Sequence, residues 1–138
     1  IPSSVSIIGP SAFEKCSKLS EISIPSSVTM IKSFAFADCT KLNKVTFEEN
    51  STLNLIGRYA FRQCTSLTEI SIPSSVTLIE RNAFDGCENL SKLDFDVNSS
   101  LMSIEIYAFR NCKIMNDIYL PSSINIDDKA FDENIKVI

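Results

Sequence analysis

The stretch IPSSVTMIKSFAFADCTKLNKVT, from Ile24 to Thr46, decides the fold, because the chain is built by repeating it. Its central pair recurs as Ala12-Phe13, Ala35-Phe36, Ala60-Phe61, Ala83-Phe84, Ala108-Phe109 and Ala130-Phe131, at steps of 23, 25, 23, 25 and 22 residues. Three residues after each Phe stand Cys16, Cys39, Cys64, Cys87 and Cys112, with Asn134 in the last copy. Leu19, Leu42, Leu67, Leu90 and Met115 follow, then Ile22, Val45, Ile70, Leu93 and Ile118, then Ile24, Phe47, Ile72, Phe95 and Leu120. Five residues before each Phe lies Ile8, Ile31, Ile56, Ile79, Ile104 or Ile126. Self-similarity at one fixed period is the mark of a stacked array. A single unit cannot bury its apolar side, whereas stacking sets each residue above its equivalent and makes one continuous core.

Within the unit the spacing is helix-like around Ala-Phe-x-x-Cys and alternating in the Ile-x-Ile segment. Each repeat is therefore expected to be a short helical turn followed by a short strand, the strands aligning as a parallel sheet along one face. Pro25 and Pro73, each followed by Ser-Ser, fix φ and remove a donor, which ends the strand and starts a turn. Pro2 and Pro121 mark the same corner. The expected organisation is a single solenoid domain with repeats 1–23, 24–46, 47–71, 72–94, 95–119 and a truncated 120–138. Repeats 47–71 and 95–119 are two residues longer, with the extra length in the turn after the strand. The first repeat starts without a Met and without a polar cover, as expected of an excised segment, and its uncapped end predicts end-to-end self-association.

The 138 residues, 44% of them hydrophobic and 22% charged, suit one globular domain. The net charge is −4 and the 13 Lys and Arg are spread along the chain, so no basic stripe for nucleic acid is expected. No apolar run approaches the roughly 18 residues of a membrane span, so no direct membrane insertion is expected of this segment. Its first residues carry no basic-then-apolar signal pattern.

The chain has no His, which removes Ser-His-Asp and Cys-His catalysis and the usual general base. With one Cys per unit and no His, the ligands for zinc do not converge. Equivalent Cys in a stack point the same way, towards the core, which favours packing over disulfides. Asp127-Asp128, Glu48-Glu49 and Asp132-Glu133 are turn neighbours expected to be solvated. Asp94, Asp96, Asn98, Ser100 and Glu105 match a calcium-loop spacing, but Ser99 stands where that loop needs Gly, and Phe95 and Leu101 are already core positions. Neither catalytic residue, metal nor cofactor is expected.

The pattern L-x-x-I-x-I-P-x-x-V-x-x-I-x-x-x-A-F-x-x-C resembles the BspA-like leucine-rich repeat family over essentially all 138 residues. Family members commonly carry Gly after the Ile that precedes Ala-Phe. Here only Gly9 and Gly57 do so, with Lys32, Glu80, Glu105 and Asp127 in the other copies. The resemblance implies an α/β repeat solenoid, a right-handed superhelix with a parallel β-sheet on one face and short helical or irregular turns on the other. It also implies a surface or secreted, non-enzymatic adhesin-like protein that binds host-cell or matrix proteins, with no catalytic residue to carry over.

The outward strand positions form two columns that would carry such binding to a protein or a glycan. One is Glu21, Lys44, Glu69, Lys92 and Asp117; the other is Ser23, Thr46, Ser71, Asp94 and Tyr119. Alternating charge down the first column also predicts self-pairing between neighbouring strands. Asn50, Asn89 and Asn98 head sequons that would accept a glycan on a eukaryotic secretory route. An intracellular scaffold and a purely architectural spacer are the other two readings.

Overall fold

The computed structural model describes residues 1–138. All its strands are parallel and short. β1 (Ile7–Ile8), β3 (Met30–Ile31), β5 (Leu55–Ile56), β7 (Leu78–Ile79), β9 (Ser103–Ile104) and β10 (Asn125–Ile126) form one six-stranded sheet in that order. The four-residue strands pair only two by two: β2 (Glu21–Ile24) with β4 (Lys44–Phe47), and β6 (Glu69–Ile72) with β8 (Lys92–Phe95). The chain is a parallel β-solenoid, and its core runs unbroken between these strands and the Ala-Phe turns.

The repeated Phe sets the geometry of that core. From Phe13 to Phe131 the rings stack in five successive contacts, with centroids 5.0 or 5.1 Å apart and planes within 6° of parallel. Parallel rings at that separation exceed the face contact of about 3.5–4 Å, so they are slipped sideways, the offset that the ring quadrupole favours. Phe36, Phe61, Phe84 and Phe109 are fully buried. The Ala beside each Phe leaves room for the neighbouring coil: Phe36 N–H donates to Ala60 C=O at 2.7 Å, and the same bond recurs up the stack.

The expected helical turn is absent; no α-helix forms anywhere in the chain. The reason lies in where the amides go. Ala35, Ala37 and Cys39 donate to carbonyls three residues back in their own coil, whereas Phe34, Phe36 and Asp38 donate to Arg58, Ala60 and Arg62 of the next coil. A helix would keep every one of these donors for itself. The alternation comes with left-handed backbone two residues before and two after each Phe from Phe13 to Phe109. Phe34, Asp38, Tyr59 and Gln63 accordingly have φ between 57° and 59°, and the same two positions repeat in coils one, four and five. A spacing of three thus belongs to a chain of tight turns here.

The four-residue strands also depart from expectation, for they do not run as one sheet. Glu48 N–H donates to Ile24 C=O at 3.0 Å, closing the β2–β4 ladder. In the following coil the equivalent residue is Pro73, which has no N–H to give to Phe47, and β6 makes no ladder with β4. Pro121 repeats the break one coil pair later. There the segment around Ile118 pairs with the chain end instead, Ile118 N–H donating to Lys136 C=O at 2.9 Å and Ile138 N–H to Ile118 C=O at 2.7 Å. The free edge of β8 is met by a side chain: Asn116 Oδ1 accepts from Leu93 N–H at 3.1 Å, and Asn116 Nδ2 donates to Leu93 C=O at 2.8 Å.

That amide bridge accompanies a one-residue slip. Met115, expected inside, is 78% exposed, and Ile114 fills its place at 5%. Met115 N–H takes the bond to Ser91 C=O that Asn43 and Ser91, each one residue later relative to its own Phe, take in their coils.

Candidate functional site

The strand face is positioned by the alternation along each strand: the apolar residues of β4 and β6 point into the core, and Lys44, Thr46, Glu69 and Ser71 point out. Glu21, Ser23 and Lys92 are also exposed, and Asp94 is half-buried. Across the ladders Glu21 lies opposite Lys44 and Ser23 opposite Thr46, as Glu69 lies opposite Lys92 and Ser71 opposite Asp94. The expected cross-strand ion pairs do not form. Only Lys92 is paired, along its own strand, with Nζ 3.4 Å from Asp94 Oδ2. Lys44 and Glu69 are left without an ionic partner, on either side of the break between β4 and β6.

A groove of about 770 Å³ runs across β4, β6 and β8 on this face. Lys44, Thr46, Glu69, Ser71, Lys92 and Asp94, six of the ten residues picked out from the sequence, line it, with Phe47 and Phe95 adding apolar walls. Glu21 and Ser23 lie outside it on β2. Asp117 and Tyr119 lie beyond the Asn116 bridge, exposed and in no named strand. Sequence spacing located the residues but not the groove, which depends on how β4, β6 and β8 sit beside one another.

The calcium-loop residues do not converge on a common point. Asp96 Oδ1 accepts Asn98 N–H at 2.8 Å in a local turn, and Asp94 is engaged with Lys92. Asn50, Asn89 and Asn98 are all exposed; Asn50 sits at φ 57° in the first long turn, and Asn89 Nδ2 donates to Thr65 C=O at 2.7 Å.

All five cysteines are free thiols. Each from Cys39 onward donates its S–H to the carbonyl of the stacked Phe one coil back: Cys39 to Phe13 at 3.0 Å, Cys64 to Phe36 at 3.2 Å, Cys87 to Phe61 at 3.1 Å and Cys112 to Phe84 at 3.3 Å. Burial pushes the Cys39 thiol up to about 12, with Cys64 adding to the effect, and burial raises Cys87 and Cys112 as well. These are structural donors, far from the thiolate that nucleophilic or metal chemistry needs.

A second polar arrangement, unforeseen from the sequence, sits on the Ala-Phe turns. Asp85, 5% exposed, holds Arg110 in a two-pronged grip, Nη2 to Oδ2 at 2.6 Å and Nε to Oδ1 at 3.0 Å, and Asn82 Nδ2 donates to Oδ2 at 2.9 Å. Burial alone would raise the Asp85 carboxyl; the hydrogen bonds from Arg110 and Asn82 together with the Arg110 charge outweigh it and hold the group below its ordinary value. The same partner raises Arg110. The sequence signal was available: all four arginines, Arg58, Arg62, Arg81 and Arg110, fall in these turns.

Comparison with known proteins matches this architecture. The profile of the BspA type leucine rich repeat region matches in six copies, over residues 1–96 and 48–138. No curated protein matches the chain. Among solved structures, a leucine-rich repeat protein of Bacteroides ovatus is similar at TM-score 0.80 and 28% identity, covering 93% of this chain and 32% of its own. Pneumococcal vaccine antigen PcpA gives 0.82 and 28%, covering 96% and 35%. A leucine rich cell surface protein of Faecalibacterium prausnitzii gives 0.62 and 30%, covering 94% and 40%. The chain thus spans about a third of the length of the first two. With its six Ala-Phe turns, its parallel coils and a profile match from end to end, the chain belongs to the BspA type leucine-rich repeat family.

Proposed function

We propose that this chain is a non-enzymatic interaction segment of a cell-surface or secreted protein, binding a host or matrix protein, or a glycan, through its strand face. The observation that carries the reading is the groove across β4, β6 and β8, where Lys44 and Glu69 stand exposed with no internal ion pair. Charges of opposite sign left free on a rigid scaffold favour specific docking by complementarity. The family and the cell-surface description of the F. prausnitzii relative support the location. No helix is long and apolar enough to cross a membrane.

The deciding experiment is solid-phase binding of the purified chain to immobilised matrix proteins and intact host cells, run beside Lys44→Glu and Glu69→Lys. Saturable binding that each single reversal weakens, and that the double reversal weakens further because both complementary contacts turn repulsive, supports the reading. Binding indifferent to all three variants rejects the groove. The five free thiols favour a second reading, an intracellular scaffold, which recovery of a cytosolic partner by pull-down, together with no cell binding, would select.

A further inference from the structure

The strand-face groove changes character along its length. At one end stand the charges of Lys44, Glu69 and Lys92; at the other Phe47 and Phe95, both half-buried, flank Pro73 and Ile72, the latter only 3% exposed. The two Phe hold the same position in coils two apart, about 10 Å at the 5.0 or 5.1 Å pitch of the ring stack. With Ile72 turned inward between them, they wall an apolar notch that opens into the groove. One residue beyond each ring comes a carboxylate, Glu48 and Asp96, both exposed and both lining the groove. Each spends one oxygen locally, Glu48 Oε2 accepting from Ser26 N–H at 3.0 Å and Asp96 Oδ1 from Asn98 N–H at 2.8 Å, and each keeps its other oxygen free.

The chemistry left unspent in the groove selects among its occupants. Four carboxylates, Glu48, Glu69, Asp94 and Asp96, face the two ammonium groups of Lys44 and Lys92, and Lys92 is engaged with Asp94. A polysaccharide bearing sulfate or uronate meets excess charge of its own sign there. A neutral sugar leaves the free oxygens of Glu48 and Asp96 without a counter-charge. A side chain with an apolar stem and a cationic head answers both the notch and its shoulders. We propose that the notch seats an arginine of an extended protein segment. The arginine methylenes lie between Phe47 and Phe95, and its guanidinium, with donors on two edges, bridges the free oxygens of Glu48 and Asp96. From the notch the segment runs back along β6 to the free charges of Lys44 and Glu69, three residues or about 10 Å away. The proposal rests on the strand-face reading and narrows its partner from a protein or a glycan to a protein.

NMR titration of the chain at low salt with acetyl-Ser-Arg-Ser amide tests this, with acetyl-Ser-Gln-Ser amide, a heparin disaccharide and cellobiose as controls. The arginine peptide should give saturable shifts at the amides of Glu48, Ser74 and Asp96, and each control should bind about tenfold more weakly, for want of two charge-assisted contacts. Glu48→Gln and Asp96→Asn keep the local acceptors; each should weaken the arginine peptide about threefold and the double variant about tenfold. Lys44→Glu should not weaken it. Thermal melts verify that each variant is folded. No saturable shift with the arginine peptide, equal binding of the glutamine peptide, tighter binding of either sugar, or full affinity in the double variant overturns the proposal. Host-cell or matrix binding that survives in the double variant but fails in Lys44→Glu overturns it as well, and leaves the strand-face reading intact. Peptide binding without any cell or matrix binding rejects that reading and leaves the arginine seat standing.

Discussion

At the scale of single residues, the cysteine ladder and Asp85 make opposite demands on pH. Cys39, Cys87 and Cys112 ionise less readily in the folded chain than in the unfolded one. Their contribution to stability is complete below the ordinary thiol value of 9.0 and is lost as pH rises towards the folded value. The melting temperature should therefore fall above about pH 9, where the unfolded chain releases these protons first. Under native conditions at neutral pH, a thiol reagent should modify Cys16, the one partly exposed cysteine, well before the four buried ones, and all five together in denaturant. Uniform reactivity would show that the ladder is open. Asp85 is shifted the other way. Its contribution is present above the ordinary carboxyl value of 3.8 and disappears as pH drops through its lower folded value. Asp85→Ala leaves Asn82 without its partner and Arg110 half in solvent, and should cost about 1–3 kcal/mol in urea unfolding, with part of the acid sensitivity removed.

Among the elements, the turns and edges hold what the repeat pattern does not announce. Lys15 is exposed and held at φ 59°, so Lys15→Gly should raise stability by up to about 1 kcal/mol in a denaturant titration, by relieving left-handed backbone. A loss there would mean that the entropy of Gly outweighs the strain. Asn116→Ala removes both bonds that seal the β8 edge and should cost about 1–2 kcal/mol. The positions of Phe13, Cys39, Leu42 and Ile31 in the stack were legible because burial is a property of the repeat itself. The state of the Ala-Phe segment was not, since a spacing of three serves tight turns as well as helices, and only the destination of alternate amides separates the two. Likewise Met115 occupies the consensus column while Ile114 occupies the core, because the slip at Asn116 is a local trade between neighbouring coils. Residues of the groove could be named from strand alternation; that Lys44 and Glu69 would be unpaired could not, because register places side chains opposite one another without fixing where their charged ends lie.

For the molecule as a whole, stability should pass between neighbouring coils and fade towards both ends. Phe61→Ala, in the middle of the ring stack and fully buried, should cost about 3–5 kcal/mol, whereas Phe131→Ala, partly exposed at one end, should cost less. Hydrogen exchange should show the same gradient, slowest at the amides of Phe36, Phe61 and Phe84 and fastest around Ile7 and Ile126. Ile7 at one end is 48% exposed and Ile138 at the other 50%. Sedimentation at rising concentration should detect the end-to-end association that such open ends favour, and a constant monomer mass would exclude it. The prolines carry a further consequence. Because they interrupt the strand face at alternate coils, the period that a ligand meets is the double coil of 23 and then 25 residues. Two ring-stack steps of 5.0 or 5.1 Å set the Pro-marked breaks about 10 Å apart, and because Asn116 seals the break after β8, only an array whose breaks all lack such a bridge is graduated like a ruler. A polymer with recognition groups at that pitch engages several marks at once and gains avidity from their number, whereas one with mismatched pitch gains from a single mark only.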